Sequence, residues 1–251
     1  MLPDWLINRN PAGFYATGEW YMLKSGKPEQ GSSKLYDGHI AATIPYYDAF
    51  NVEIINLVRA TGREPALWVD TGCGTGNLVG QAARAFPHTR FILADPSAEM
   101  LQEAKQKMQN NAIANYQVLA PCGTQEISMP PGENPDVISA VLCHHYLDER
   151  GRKQATGRCF HLLTVGGLYI TFENIRPLTQ TGTEIGLANW QRFQIERGKS
   201  VEAAASHIKR FGVEYFPVAI EEHLSRLKET GFKVVELLWF SYLQAGFYAI
   251  K

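Results

Sequence analysis

Leu67-Trp68-Val69-Asp70-Thr71-Gly72-Cys73-Gly74-Thr75-Gly76-Asn77 is the stretch from which the rest of the chain is read. An apolar run ends in a carboxylate, and a glycine-rich turn follows at once. Beyond the turn, Leu78, Val79, Ala82, Ala83 and Phe86 recur at helical spacing until Pro87. The pattern is strand, tight loop, helix. Glycine accepts positive φ and, lacking Cβ, lets backbone N–H groups come close to a ligand. The helix N-terminus behind the loop favours a polar or anionic group. A dinucleotide fingerprint, G-x-G-x-x-G counted from Gly72, needs a third glycine at position 77. That position is Asn77, and the third glycine stands one residue earlier, at Gly76.

A second strand follows in Arg90-Phe91-Ile92-Leu93-Ala94, ended by Asp95-Pro96-Ser97. Ser97 suits the N-cap of a helix carrying Met100, Leu101, Ala104 and Met108. Asp95 lies about 20 residues beyond the loop, where a carboxylate accepts both ribose hydroxyls of a bound nucleoside. A second helix cap is the plainer reading of Asp95, but the two motifs at this separation reinforce one another.

Asp70-x-Gly72-x-Gly74-x-Gly76 followed by Asp95 resembles the opening motifs of class I S-adenosylmethionine-dependent methyltransferases. The resemblance covers roughly residues 36–175 and 217–251. It implies S-adenosylmethionine as cofactor, with Asp70, Thr71, Gly72, Cys73, Gly74 and Gly76 around its methionine part. The carboxylate at the Asp70 position acts in that family through water or backbone on the amino group. Asp95, Pro96, Ser97 and Met100 then border the nucleoside, and Leu142 and Cys143 close the pocket. The family often places Asp after the third strand to bond the adenine amino group. Here Cys122, Gly123 and Thr124 occupy that loop, which leaves backbone groups for the role. A tyrosine-rich segment before the first helix is also common in the family. It implies Tyr36 for the cofactor carboxylate and Tyr47 at the border of the acceptor site.

The fourth strand, about Asp136 to Leu142, is nearly continuous in apolar residues, as a strand covered on both faces should be. It runs into Cys143-His144-His145-Tyr146, which resembles the family's fourth motif, where methyl group and acceptor meet. His144 and His145 are candidate general bases, because imidazole titrates near neutral pH. A packed, hydrogen-bonded histidine pair is the alternative. His144, Tyr146, Glu173, Asn174 and Trp190 are, with Tyr47, the candidate acceptor-binding residues. No third ligand is spaced to join the histidines around a metal.

Residues 176–216 leave the strand–helix rhythm and are expected to form a helical lid inserted after the fifth strand. Arg192, Arg197, Lys199, Lys209 and Arg210 lie there, either as a solvated face or as a wall for an anionic group. Ile220-Glu-Glu-His-Leu-Ser-Arg-Leu-Lys-Glu-Thr-Gly-Phe resembles the C-terminal end of the carboxymethyl-S-adenosylmethionine synthases of tRNA wobble-uridine modification. The sequence just before Pro217 departs from that family.

The expected fold is α/β: a doubly wound, mostly parallel seven-stranded sheet with one antiparallel strand. The whole chain, 1–251, reads as a single domain, with an N-terminal flap over about 1–46 and the lid over about 176–216. Hydrophobic residues make up 45% and charged residues 20%, enough apolar side chain for a sizeable core. A formal net charge of −1 argues against a basic nucleic-acid surface. No apolar run reaches the length of a membrane span, and the N-terminus lacks a secretory pattern. Cys73, Cys122, Cys143 and Cys159 form no C-x-x-C pair, which points to a reducing cytoplasm. The function expected is methyl transfer to a small-molecule acceptor through an O, N or S nucleophile, by a monomer or homodimer. Two alternatives stand: a synthase of the carboxymethyl type, and a non-catalytic S-adenosylmethionine-binding protein.

Overall fold

All five side chains of β1, Leu67–Thr71, are buried, because the strand is covered on both faces. Alternation along it separates two cores: Trp68 faces one, Leu67 and Val69 the other. The structure, a computed structural model, describes residues 38–251. Tyr36, and most of the segment read as a flap, lie outside the described residues.

The other strands are β2 (Arg90–Ala94), β3 (Tyr116–Val118), β4 (Val137–Val141), β5 (Leu168–Asn174), β6 (Val234–Ser241) and β7 (Gln244–Ile250). They form one seven-stranded sheet in the order β3-β2-β1-β4-β5-β7-β6. β1 pairs in parallel with β2 and with β4, and β4 in parallel with β5. β7 runs antiparallel to both of its neighbours, β5 and β6. This is the sheet the sequence pattern predicts. Chain direction across the sheet reverses between β1 and β4, which opens a crevice at their carboxyl ends.

Helices cover both faces. Four of them, α1 (Tyr47–Ala60), α2 (Asn77–Ala85), α3 (Ala98–Asn110) and α5 (Gln180–Glu196), send Phe50, Ile54, Val79, Ala104 and Trp190 into the Trp68 core. Two others, α4 (Glu149–Leu162) and α7 (Ile220–Thr230), send Cys159, Leu162 and Leu227 into the Val69 core. The segment after β5 holds α5 and a short α6 (Val201–Ile208). Thr179 and Ser200 cap them by accepting the amides of Gly182 and Ala203. Trp190, fully buried, donates its indole N–H to the Thr43 carbonyl at 2.7 Å and so ties α5 to the chain ahead of α1. Among the described residues, no helix is long and apolar enough to cross a membrane.

One boundary differs from the sequence reading. From the sequence, Phe247 to Ile250 reads as the last strand, but β7 starts at Gln244. Gln244, Ala245 and Gly246 pair with Asn174, Glu173 and Phe172 of β5. Polar Gln244 and side-chain-free Gly246 give no apolar signal. Gly246 is required there by space, since a Cβ would sit 2.5 Å from the Phe172 ring.

Candidate active site

The glycine loop leaves β1 through Gly72, Gly74 and Gly76, all at positive φ (64°, 53° and 73°). The Cys73 amide donates to the Ala94 carbonyl at 3.1 Å, so the loop is anchored to the end of β2. A Cβ on Gly72 would meet Cβ of Cys143 at 2.4 Å, because β4 ends directly against the loop. A Cβ on Gly74 would meet nothing within 4 Å. The loop backbone therefore faces open space at Gly74, the shape of a cradle for a ligand.

Asp95 closes one side of this cradle. It is almost fully buried, and its two carboxylate oxygens each accept one backbone amide: Gly74 at 3.0 Å and Ser97 at 2.8 Å. Those bonds aim the carboxylate and leave a lone pair on each oxygen for a pair of hydroxyls. Burial raises its pKa, against the two amide bonds that lower it. Ser97 also caps α3, accepting the Met100 amide at 3.2 Å, with Pro96 in the turn between. Met100 is buried beneath that turn. The Cys122 amide donates to the Asp95 carbonyl at 3.1 Å, bringing the loop after β3 to the same place.

Asp70 lies deeper. Its carboxylate accepts Ser139 Oγ–H from β4 at 2.6 Å, and Ser139 Oγ accepts the Trp68 indole N–H at 2.8 Å. Burial pushes Asp70 up to about 7, the bond from Ser139 opposes that, and Asp95 adds to it. Two carboxylates beside one loop favour a cationic ligand group. Ser139 was not singled out from the sequence. A lone hydroxyl inside an otherwise apolar covered strand was its signal, since a buried polar group requires a partner.

The remaining residues expected at the cofactor follow the strand ends. Leu142 turns out of β4 at φ 53° and its amide donates to Phe172. Cys143 Sγ–H points at the Thr71 carbonyl, 3.4 Å away. Burial holds the Cys73, Cys122 and Cys143 thiols above their usual pKa, so all three are protonated at neutral pH. All four cysteines of the chain are free. The hydroxyls of Thr71 and Thr124 meet at 2.6 Å. The Gly123 amide donates to Glu126 at 2.7 Å.

The two histidines diverge. His144 is buried, with Nε2 3.0 Å from Thr124 Oγ1 and Nδ1 3.1 Å from the Tyr169 hydroxyl. Burial lowers its pKa to about 4. Both ring nitrogens are thus engaged inside the α4 face. His145 is buried as well. Its Nδ1 lies 3.2 Å from Glu173 Oε2, and its Nε2 3.3 Å from the Asn174 side-chain amide. Asn174 Oδ1 accepts from Gln244, which leaves its NH2 to donate to His145 Nε2. Nδ1 therefore carries the proton and donates to Glu173. Thr171 Oγ1–H donates to the other Glu173 oxygen at 2.6 Å. Burial alone would raise Glu173, but His145 beside it brings the carboxyl down to about 2.

On the lid side, the His145 ring lies 4.5 Å from the Tyr146 ring and 5.4 Å from that of Tyr215. The Arg210 guanidinium stands over Tyr215 at 4.6 Å and pairs with Glu214 at 2.7 Å. The Tyr215 hydroxyl meets His207 Nε2 at 3.1 Å. Burial, with the charge of Arg210, lowers Lys199 to about 8. Tyr215 and His207 were not anticipated from the sequence. Two expected acceptor residues stand apart from this cluster's centre. Trp190 is committed to Thr43 and packs on the His207 ring, and Tyr47 is half-buried against Phe50. Among the described residues, no group of three or more His, Cys, Asp and Glu side chains is placed to hold a metal.

A methyltransferase-domain family matches residues 69–167, from β1 to the turn before β5. Carboxy-S-adenosyl-L-methionine synthase of Hydrogenovibrio crunogenus is 23% identical over 215 residues, 84% of each chain. Trans-aconitate 2-methyltransferase of Methylobacterium radiotolerans is 32% identical over 112 residues, 45% of this chain and 39% of that one. Among solved structures, a Nostoc punctiforme protein assigned to the O-methyltransferases superposes with a TM-score of 0.61 at 20% identity. That match covers 85% of this chain and 60% of the other.

Two outcomes test the cradle. Asp95→Ala should weaken S-adenosylmethionine binding about ten- to a hundredfold in calorimetry, the loss of a charged acceptor for two hydroxyls. Asp70 has a folded pKa raised to about 7. Its protonated form therefore stabilises the fold fully below the unfolded carboxyl pKa, and that contribution is lost as pH rises through 7. Asp70→Asn keeps an acceptor for Ser139 without the charge. In urea titrations of the ligand-free protein it should be more stable than the parent by about 1–4 kcal/mol at pH 8.5, with the difference vanishing below the unfolded carboxyl pKa of about 4.

Proposed function

We propose that the chain is a class I S-adenosylmethionine-dependent methyltransferase and that it methylates a small-molecule acceptor bearing an anionic group. The observation that carries this reading is the cluster beside His145. There Lys199 and Arg210 stand with Tyr146 and Tyr215, with Glu214 as the paired carboxylate. Guanidinium and ammonium groups against aromatic walls suit a carboxylate on a compact, partly apolar molecule.

When bound, the cofactor supplies a methyl group already made electrophilic by its sulfonium. The protein's work is alignment and exclusion of water. The Gly72–Gly76 backbone cradles the amino-acid part, and Asp95 holds the ribose hydroxyls. Asp70 sets a negative potential against the cationic part. Tyr36 and the loop Cys122-Gly123-Thr124 complete the proposed cofactor contacts. The lid cations orient the acceptor, and Tyr146 and Tyr215 wall it. Of the two histidines, His145 is assigned the proton: Glu173 holds Nδ1–H, and Nε2 takes the acceptor's proton when the Asn174 amide that bonds it in the ligand-free protein gives way. Asn174 steadies that nitrogen. His144 is a positioning residue, bonded through Thr124 to Thr71 at the start of the glycine loop.

A second reading has a specific observation in its favour. The similarity to the carboxy-S-adenosyl-L-methionine synthase extends over 84% of this chain. In that case the same cations would serve a carboxylate on the cofactor or its co-substrate. Mass spectrometry of the nucleoside that copurifies with the protein separates the two. S-adenosylmethionine or S-adenosylhomocysteine is expected, and a carboxylated cofactor would replace the first reading by the second. A cytoplasmic site of action is part of both readings, in keeping with four free cysteines.

Two variants test the roles. Arg210→Gln should raise KM for the anionic acceptor about ten- to a hundredfold with kcat little changed, the loss of a charged hydrogen bond. His145→Gln should lower kcat about 10²- to 10⁴-fold for an acceptor that must lose a proton, with S-adenosylmethionine affinity unaltered in calorimetry.

A further inference from the structure

A separate chamber of about 340 Å³ lies between α4, α7 and the segment 211–218. That volume is in the range of small-ligand sites. None of the glycine-loop residues lines it. Its walls carry three guanidinium groups, from Arg152, Arg176 and Arg226, and an apolar side formed by Phe211, Phe216 and Val218. Arg152 and Arg226 also line a much smaller inner chamber of about 10 Å³.

The charges on this wall do not balance. Arg176 is paired with Glu222. Arg152, deeply buried, directs its N–H groups to the carbonyls of His144, Leu147 and Phe216, which orient the guanidinium without neutralising it. Arg226 has a buried Nη1 with no hydrogen-bond partner among the described residues. The two cations also feel one another: burial lowers the pKa of Arg152, and the charge of Arg226 adds to that, against Glu173. Glu173 and Glu222 act on Arg152 as partial countercharges, and Glu149 stands at the wall, but no carboxylate pairs with Arg226 among the described residues. An orphaned donor on a buried cation is costly, and one carboxylate between Arg152 and Arg226 would remove both the orphan and the repulsion. The planar fork of arginine matches a carboxylate, and the phenylalanines offer an apolar surface beside it.

We propose that this chamber binds a small amphiphilic carboxylate, its head between Arg152 and Arg226 and its apolar body against Phe211 and Phe216. The site is distinct from the cradle at the strand ends. It backs onto the histidine turn through Arg152 and through the Phe216 amide, which donates to the His145 carbonyl at 2.7 Å.

Benzoate and its neutral analogue benzamide serve as probes, titrated calorimetrically into the full chain with and without S-adenosylhomocysteine. A failure to bind the nucleoside thus leaves the benzoate result readable. Benzoate should bind saturably in both conditions, and benzamide at least about tenfold more weakly, the difference expected of a charge-assisted bond. Arg226→Gln should weaken benzoate by at least about tenfold, and Arg210→Gln should leave it unchanged. If Arg226→Gln fails to fold, Phe216→Ala replaces it: its side chain is 43% exposed, and it should weaken benzoate but not acetate. Absence of saturable benzoate binding, equal binding of benzamide, or indifference to the variant used would each overturn the proposal. Loss of binding in Arg210→Gln would place the carboxylate among the lid cations and overturn it as well.

Discussion

A carboxylate buried at the end of a strand must find donors, and three such carboxylates organise this molecule. Asp70, Asp95 and Glu173 end β1, β2 and β5, all nearly inaccessible to water. Each is satisfied differently. Asp70 takes a hydroxyl from the neighbouring strand, Asp95 takes two backbone amides, and Glu173 takes a threonine and a histidine. An unpaired ionised carboxylate in such a place would cost several kcal/mol. The partners therefore constrain the backbone around them. The Asp95 bonds fix the glycine loop against the turn before α3. The Asp70–Ser139–Trp68 chain locks β1 to β4 across the crevice. Glu173 fixes the tautomer of His145.

The same requirement couples the site to the lid. His145 meets Tyr215, Tyr215 meets His207, and His207 packs against Trp190, which is held by Thr43. The rim of the sheet, the inserted helices and the chain ahead of α1 therefore share one contiguous set of aromatic and polar contacts. A change in the lid reaches the histidine turn through two or three side chains. Arg152 forms a parallel link on the other face, from the carbonyl of His144 to that of Phe216.

The division of charge follows the chemistry. The cradle carries Asp70 and Asp95, suited to a cofactor with a sulfonium and an ammonium group. The lid carries Lys199 and Arg210, suited to an anion. Neutral thiols stand between the strand ends: Cys73 is buried, and the partly buried Cys143 lies against Gly72.

The mostly parallel sheet with one antiparallel strand, the glycine loop and the position of Asp95 were legible in the sequence. Each rests on local rules: a doubly covered strand is continuously apolar, a tight turn needs glycine, and a helix start needs a cap. Ser97 was read as a cap and accepts the Met100 amide. The N-terminal start of β7 was not legible, because Gln244 and Gly246 belong to a strand only through their pairing with β5. The histidines show the same division most clearly. Sequence placed His144 and His145 at the end of β4, but adjacent residues leaving a strand diverge, and only the packed structure decides which way each ring turns. One meets Thr124 and Tyr169 and the other Glu173 and Asn174. Those partners come from loops and strands 20 to 29 residues away along the chain. Local pattern specifies backbone conformation, whereas the hydrogen-bond partner of a buried side chain is set by whichever distant element the fold brings against it.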